Sequence, residues 1–181
     1  NLFDKKIIVQ GVGNVGENLV RYLNEDGASI MIHDINKERL ENVSKQYGAN
    51  IINNDNIFDI DMDIYAPCAL GATVNPDSIN KLRCEIIAGG ANNQLENEVR
   101  DSELCSEKGI IYTPDFLINA GGLINVYSEI KGYNRSQALN KTKNIFNTTL
   151  EILKMAELEN MTTHEAALKI AESRIFSSRK S

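Results

Sequence analysis

The residues best suited to chemistry lie in residues 6–16, a segment with the sequence KIIVQGVGNVG. Gly11, Gly13 and Gly16 have the G-x-G-x-x-G spacing of a loop that binds a dinucleotide pyrophosphate. In such a loop the first glycine allows a tight turn and the second leaves room for the pyrophosphate. The third lets the next helix pack close to the strand. The spacing alone also fits a strand–helix turn without a ligand, because glycine-rich turns are common.

A carboxylate stands where the adenosine ribose of a dinucleotide would need an acceptor. Asp34 follows Gly16 by 18 residues, and about 20 are expected for the acid that binds a ribose 2′-hydroxyl. A carboxylate there accepts hydrogen bonds from the ribose diol and repels the additional phosphate of NADP. We therefore predict NAD as the cofactor. The alternative is that Asp34 serves only as a turn or N-cap residue ahead of Asn36.

Both candidates need a strand and a helix on either side of the glycine turn. Residues 7–9 are a short apolar run, typical of a strand buried in a parallel sheet. A helix is predicted from residue 14 to about residue 26, with its free N–H groups and the positive end of its dipole directed at the phosphates. Gly27 ends this helix, and residues 29–33 are predicted as the second strand.

Strands and helices continue to alternate along the chain. Further strands are predicted at residues 49–52, 63–66, 84–89 and 110–112, and helices at 36–47, 76–82 and 96–107. This alternation predicts an α/β fold, a Rossmann-type doubly wound parallel sheet covered on both faces. Ligands bind beyond the carboxyl ends of such strands. The loops at residues 68–69, 91–93 and 119–122 all fall on that edge.

The sequence changes character after Gly122. A helix is predicted at residues 123–130, one long helix at 134–160, and a last helix from about 163 to 178 that opens with the capping-box pattern Thr162-x-x-Glu165. We therefore predict one dinucleotide-binding domain over residues 1–181, with additional C-terminal helices from about residue 134.

Composition excludes several classes of partner. The net charge of −6, the pI near 5.0 and the lack of a Lys/Arg run argue against nucleic acid. No apolar stretch is long enough for a membrane span, so no membrane partner is expected. The three cysteines and two histidines lack metal-ligand spacing, which predicts no metal site and reduced thiols in a cytoplasmic protein.

Five runs of sequence carry a resemblance to a known family: VQGVGNVG, DIYAPCALGATVN, IIAGGANNQL, YTPDFLINAGGLINV and GYNRSQAL. They resemble the cofactor-binding domain of the glutamate/leucine/phenylalanine/valine dehydrogenases, and most strongly its leucine dehydrogenase branch. The resemblance extends from Leu2 to about Ser177. It implies reversible oxidative deamination of L-leucine or a related branched-chain amino acid to the 2-oxo acid and ammonia. It also implies NAD as the cofactor and a homo-oligomeric enzyme.

The resemblance implies binding roles for residues in each loop of the sheet edge. The pyrophosphate would be held by Gly11, Gly13, Asn14, Val15 and Gly16. The adenosine half would meet Asp34 at its ribose, Ile35 at its adenine, and Cys68 and Ala69 along the cleft. The nicotinamide half would meet Ala91 and Asn92 at its ribose and Asn119 at its carboxamide and the substrate carboxylate. Alternatively, Asn119 only caps the helix that begins near Gly121.

The family's reacting groups, two lysines and an aspartate of an N-terminal domain, have no matching motif in these 181 residues. We therefore expect no catalytic residue in this chain, which looks like an excised domain that binds the cofactor without turning over substrate. Two other interpretations remain open. One is a stand-alone sensor that uses NAD occupancy as a signal. The other is a dehydrogenase for a different substrate, such as a hydroxy acid, which would need a His or Lys catalyst at the cofactor edge.

Overall fold

The computed structural model describes residues 2–53, 56–130 and 132–178. Its sheet contains β1 (Lys6–Gln10), β2 (Ser29–His33), β3 (Asn50–Ile51), β4 (Ile64–Pro67), β5 (Ile86–Ile87) and β6 (Ile111–Tyr112). The order across the sheet is β3-β2-β1-β4-β5-β6, and each neighbouring pair is parallel. This order is that of a doubly wound dinucleotide-binding sheet and confirms the predicted fold class.

Helices connect the strands and extend the chain beyond them. They are α1 (Asn14–Glu25), α2 (Lys37–Tyr47), α3 (Pro76–Lys81), α4 (Glu98–Glu107), α5 (Asp115–Ile118), α6 (Gly121–Ile130), α7 (Arg135–Lys143), α8 (Ile145–Glu159) and α9 (Thr163–Ser178). A 3-10 helix at Ile57–Asp59 precedes β4. Within the described ranges, no helix is both long enough and apolar enough to cross a bilayer.

The central strand β1 is buried on both faces of the sheet. Ile8 packs in one apolar cluster, whereas Ile7 and Val9 pack in the other. Successive strand residues point to opposite faces, so this division shows that helices cover both sides. Each of the three side chains is at most 1% exposed, and truncation of such a residue to alanine costs about 2–5 kcal/mol.

The helix α2 begins and ends at residues that its sequence specifies. The side chain of Asn36 accepts a 3.0 Å hydrogen bond from the N–H of Arg39 and thereby caps the first turn. Gly48 follows the last turn with φ of +70°. These two caps fix the position of α2 immediately after Asp34, which is the carboxylate of interest.

The predicted single helix over residues 134–160 is wrong, because Asn144 separates α7 from α8. The N–H of Asn144 lies 3.1 Å from the carbonyl of Asn140 and 3.2 Å from that of Lys141, a shared bond that tightens the turn. The helix α7 packs against α6, whereas α8 packs against α9 through Ile152 and Ala156. The two helices thus have different neighbours, and the boundary between them lies at this turn.

Candidate cofactor site

The loops after β1 and β4 meet where the strand order of the sheet reverses. Gln10 at the end of β1 is paired in register with Pro67 at the end of β4. The N–H of Cys68 then donates a 2.7 Å hydrogen bond to the carbonyl of Gln10. In open α/β sheets ligands bind at this reversal, outside the carboxyl ends of the strands.

Two glycines of the loop are required by close backbone approach. Gly11 has φ of +91°, and a Cβ atom there would lie 2.6 Å from the backbone nitrogen of Ala69. A Cβ atom on Gly16 would lie 1.9 Å from the carbonyl oxygen of Gly11. By contrast, the nearest atom to a Cβ on Gly13 would be Nη1 of Arg39, at 3.7 Å. The loop is therefore tight at Gly11 and Gly16 and open at Gly13, which is where a pyrophosphate needs room.

The N-terminus of α1 is suited to bind an anion. Its N-cap is Gly13, which has no side chain that could cap the first N–H groups. Asn14 and Val15 follow in the first turn and are exposed. The first N–H groups of a helix lack partners within the helix and carry a partial positive charge. A pyrophosphate at this end would accept their hydrogen bonds.

Asp34 joins the second strand to the glycine loop. Its Oδ2 accepts a 2.7 Å hydrogen bond from the N–H of Val12, and its Oδ1 accepts one of 2.8 Å from the N–H of Asn36. The turn role is therefore real, but Asn36 and not Asp34 is the N-cap of α2. A carboxylate has about four acceptor positions, so two are left for ribose hydroxyls. The neighbouring side chain of Ile35 is 97% exposed, an apolar surface that an adenine ring could cover.

Cys68 and Gly90 join the loops after β4 and β5. The N–H of Gly90 lies 3.4 Å from Sγ of Cys68, and a Cβ atom on Gly90 would lie 2.4 Å from Cγ1 of Val15. Burial raises the pKa of the Cys68 thiol, and the hydrogen bond from Gly90 opposes this only in part. Cys68 and the adjacent Ala69 therefore line the point where the strand order reverses as uncharged residues. The Cys68 thiol is not suited to attack a substrate, since a protonated thiol is a poor nucleophile.

Asn119 contacts the loop after β5 instead of capping the next helix. Its Nδ2 lies 2.6 Å from Oδ1 of Asn92 and 3.3 Å from the carbonyl oxygen of Ala91. Asn119 is the C-cap of α5, and the first turn of α6 is closed by the bond from Ile124 to Ala120. The alternative in which the Asn119 side chain caps α6 is therefore not the arrangement in the structure. Its amide lies beside the loop predicted to meet the nicotinamide ribose.

Gln94 is the buried centre of this loop, and its role was not predicted from the sequence. Its Nε2 donates hydrogen bonds to the carbonyls of Gly89 at 2.6 Å and Ala91 at 3.0 Å. Its backbone N–H donates a 2.9 Å bond to Oδ2 of Asp115. The only signal in the sequence was one long amide side chain at the end of a turn of small residues, GGANNQ.

An open cavity of about 690 Å³ adjoins the same loop, and its lining includes Asn93, Tyr112, Asp115 and His164. The His164 ring packs edge-on against Phe116 with a centroid separation of 5.9 Å. His164 is buried and forms part of the cavity wall, and this position was not predicted from the sequence. Among the residues that the structure describes, no group of His, Cys, Asp and Glu could hold a metal ion.

The strand order, the reversal point and the glycine loop define a doubly wound α/β domain of the Rossmann type. Residues 30–178 match the family model described as Glutamate/Leucine/Phenylalanine/Valine dehydrogenase. The chain belongs to that family, which confirms the resemblance carried by its sequence motifs.

Relatives of different substrate are about equally similar to this chain. An L-tryptophan dehydrogenase from Nostoc punctiforme is 46% identical over 176 residues, which cover 97% of this chain and 50% of the relative. A leucine dehydrogenase from Bacillus subtilis is 45% identical over 181 residues, which cover 100% of this chain and 50% of the relative. The chain thus spans about half the length of the curated relatives it matches.

Two solved structures are similar to this chain in fold. The crystal structure of L-tryptophan dehydrogenase from Nostoc punctiforme matches with a TM-score of 0.96 and 45% identity, over 99% of this chain and 54% of that one. A hetero-hexameric glutamate dehydrogenase from Thermus thermophilus matches with a TM-score of 0.72 at 16% identity, a likeness of fold alone.

Proposed function

We propose that this chain is the NAD-binding part of an amino-acid dehydrogenase. The whole protein would oxidatively deaminate L-leucine or a related branched-chain amino acid to the 2-oxo acid and ammonia, reversibly. Bound NAD would supply the hydride acceptor. The observation that carries the proposal is the meeting of the glycine loop and Asp34 at the reversal point of a chain that belongs to this family.

The adenosine half of NAD would bind on the side of the sheet edge that carries the glycine loop and Asp34. The open space at Gly13 and the uncapped start of α1 would receive the pyrophosphate. The two remaining acceptor positions of Asp34 would bind the ribose diol, and Ile35 would cover the adenine. The negative charge of Asp34 would disfavour a 2′-phosphate at the same place.

The nicotinamide half would bind on the other side of the sheet edge, at the loop after β5 and at Asn119. Ala91 and Asn92 would line its ribose, and the Asn119 amide, which can donate and accept, would orient the carboxamide. Orientation matters because hydride transfer needs one face of the ring directed at the substrate. Each role that we assign to this chain is one of binding and orientation.

The assembly and location of the protein are also proposed. Leu123, Val126 and Ile130 on α6 are 72%, 55% and 76% exposed, and contiguous apolar surface of this kind marks a contact face. We propose that another part of a homo-oligomeric enzyme covers it. The free thiols of Cys68, Cys84 and Cys105 support a cytoplasmic location.

Calorimetric titration of the chain with NAD and with NADP tests the cofactor assignment. We expect binding of NAD and a clearly weaker affinity for NADP. No binding of either cofactor, or equal affinity for both, would overturn the assignment. Initial rates of the whole protein with leucine, tryptophan and phenylalanine test the substrate. A preference for an aromatic amino acid would remove the branched-chain part of the proposal.

A further inference from the structure

We propose that Gln94 is a positioning residue, which sets the shape of the loop at residues 89–92 for the nicotinamide half of the cofactor. This inference rests on the proposed NAD site. The side chain of Gln94 is fully buried. Both N–H groups of its amide are used, one on the carbonyl of Gly89 and one on that of Ala91. A single amide group therefore fixes two carbonyls on either side of Gly90.

A second set of contacts ties this loop to α5. The backbone N–H of Gln94 binds Oδ2 of Asp115, the first residue of α5. Asn119, at the other end of α5, returns to the loop through the carbonyl of Ala91 and the side chain of Asn92. Gln94 and Asn119 thus converge on one carbonyl oxygen. A change in the position of Ala91 would therefore move both the loop at residues 89–92 and the side chain of Asn119, which we place beside the nicotinamide.

The remaining oxygen of Gln94 limits how much this residue stabilises the fold. Within the described part of the chain, Oε1 is buried and has no hydrogen-bond partner. A buried acceptor without a partner lowers stability, so part of what the two donated bonds contribute is offset. An apolar side chain of similar length removes the bonds and the unpartnered oxygen together. Gln94→Met should therefore release the loop, but it leaves the carbonyl of the buried Gly89 without this donor, so the melting temperature should fall moderately.

The position of Gln94 predicts a larger effect on the nicotinamide half of the cofactor than on the adenosine half. Its contacts are Gly89, Ala91 and Asp115, all on the nicotinamide side of the site. The glycine loop and Asp34, which would bind the adenosine half, are joined to each other through Val12. ADP carries only the adenosine half, so it serves as the probe for the part that Gln94 does not contact.

The test compares NADH and ADP binding to the chain and its Gln94→Met variant. We expect the NADH dissociation constant to rise about threefold to tenfold, the effect of losing hydrogen bonds of ordinary strength. The ADP dissociation constant should change clearly less than that of NADH, when both are measured well below the melting temperature of the variant. The control is Gln137→Met, the same change at an exposed position of α7, which should leave both affinities unchanged.

A second variant, Gln94→Glu, gives a pH signature. The glutamate carboxylate accepts but cannot donate, whereas its protonated form donates one hydrogen bond. Burial beside two carbonyl oxygens disfavours the charged form and raises the pKa of such a carboxyl. The NADH affinity of Gln94→Glu should therefore be low at alkaline pH and rise as the pH falls and the carboxyl takes up a proton, while Gln94→Met shows no such dependence on pH. This variant also decides the question if Gln94→Met fails to fold.

Three results would overturn the inference: unchanged NADH affinity in Gln94→Met, an equal loss of NADH and ADP binding, or an NADH affinity of Gln94→Glu that does not depend on pH. Failure of the unmodified chain to bind either ligand would instead overturn the proposed function.

Discussion

Oδ2 of Asp34 lies 2.7 Å from the backbone nitrogen of Val12, so the carboxylate at the end of β2 holds the middle of the glycine loop. Its other oxygen holds the turn into α2 through Asn36. A substitution at Asp34 would therefore act both on the proposed ribose contact and on the shape of the glycine loop.

The first prediction concerns cofactor choice. Asp34→Ala should weaken NAD binding by about 1–3 kcal/mol, the cost of losing hydrogen bonds to a charged acceptor. It should also reduce the difference between the affinities for NAD and NADP. Asp34→Asn keeps one acceptor oxygen and removes the charge, so it should narrow the gap with a smaller loss of NAD affinity. Calorimetry measures both, and Asp26→Ala at the far end of α1 is the control. An unchanged NAD/NADP ratio in both Asp34 variants would contradict the role.

The second prediction separates orientation from capping at Asn119. Serine is too short to keep the 2.6 Å contact with Asn92. In the whole enzyme, Asn119→Ser should leave the melting temperature nearly intact and lower turnover about tenfold or more, because small misplacements of reacting groups cost up to about 100-fold.

A matched control exists at Asn134, whose side chain accepts a 3.1 Å bond from Gln137 and caps α7. Serine caps helices as well as asparagine, so Asn134→Ser should preserve both stability and turnover. Unaltered kcat and cofactor affinity in Asn119→Ser would remove that residue from the site.

The third prediction concerns acid sensitivity near β1. The carboxylate of Asp63 accepts bonds from Nζ of Lys5 at 2.8 Å and from the N–H of Lys6 at 2.7 Å. The Lys5 side chain first, and the Lys6 N–H second, lower the pKa of Asp63 below its ordinary value of 3.8. A lowered folded-state pKa stabilises the fold above about pH 4, and that stabilisation is lost as the pH falls through the folded-state value.

Urea unfolding midpoints of the unmodified chain and of Asp63→Asn should therefore differ at pH 7, and the difference should shrink steadily as the pH falls below about 4. Asp61→Asn is the control, because the Asp61 side chain is 76% exposed in its pair with Lys6 and exposed pairs contribute little. A difference that does not shrink below about pH 4 would contradict the assignment.

The fourth prediction concerns thiol reactivity. Burial raises the pKa of Cys84 to about 11 and that of Cys105 to about 12, so both stay protonated at neutral pH and react slowly. Cys68 is half-buried at the cofactor edge and should react first with DTNB, more slowly when NAD is bound. In urea all three should react rapidly. Fast reaction of all three in the native chain would contradict the prediction.

The sequence by itself determined the parts of this protein that depend on near neighbours. The tight turn at Gly11 and the close approach at Gly16 forbid side chains, and that restriction is written in the glycine spacing. The apolar run at Ser29–His33 and the caps Asn36 and Gly48 likewise act within a few residues, so β2 and α2 could be predicted from local pattern.

Only the tertiary structure decided how the second half of the site is held. The partner of Asn119 lies 27 residues away at Asn92, and an asparagine amide can cap a helix or cross to a loop with equal chemical ease. The burial of Gln94 arises because neighbouring loops enclose it, although glutamine is ordinarily an exposed residue. The division at Asn144 lies between α7, which packs against α6, and α8, which packs against α9. Hydrogen bonds and packing between distant segments leave no periodic trace in the chain, so these features required the fold.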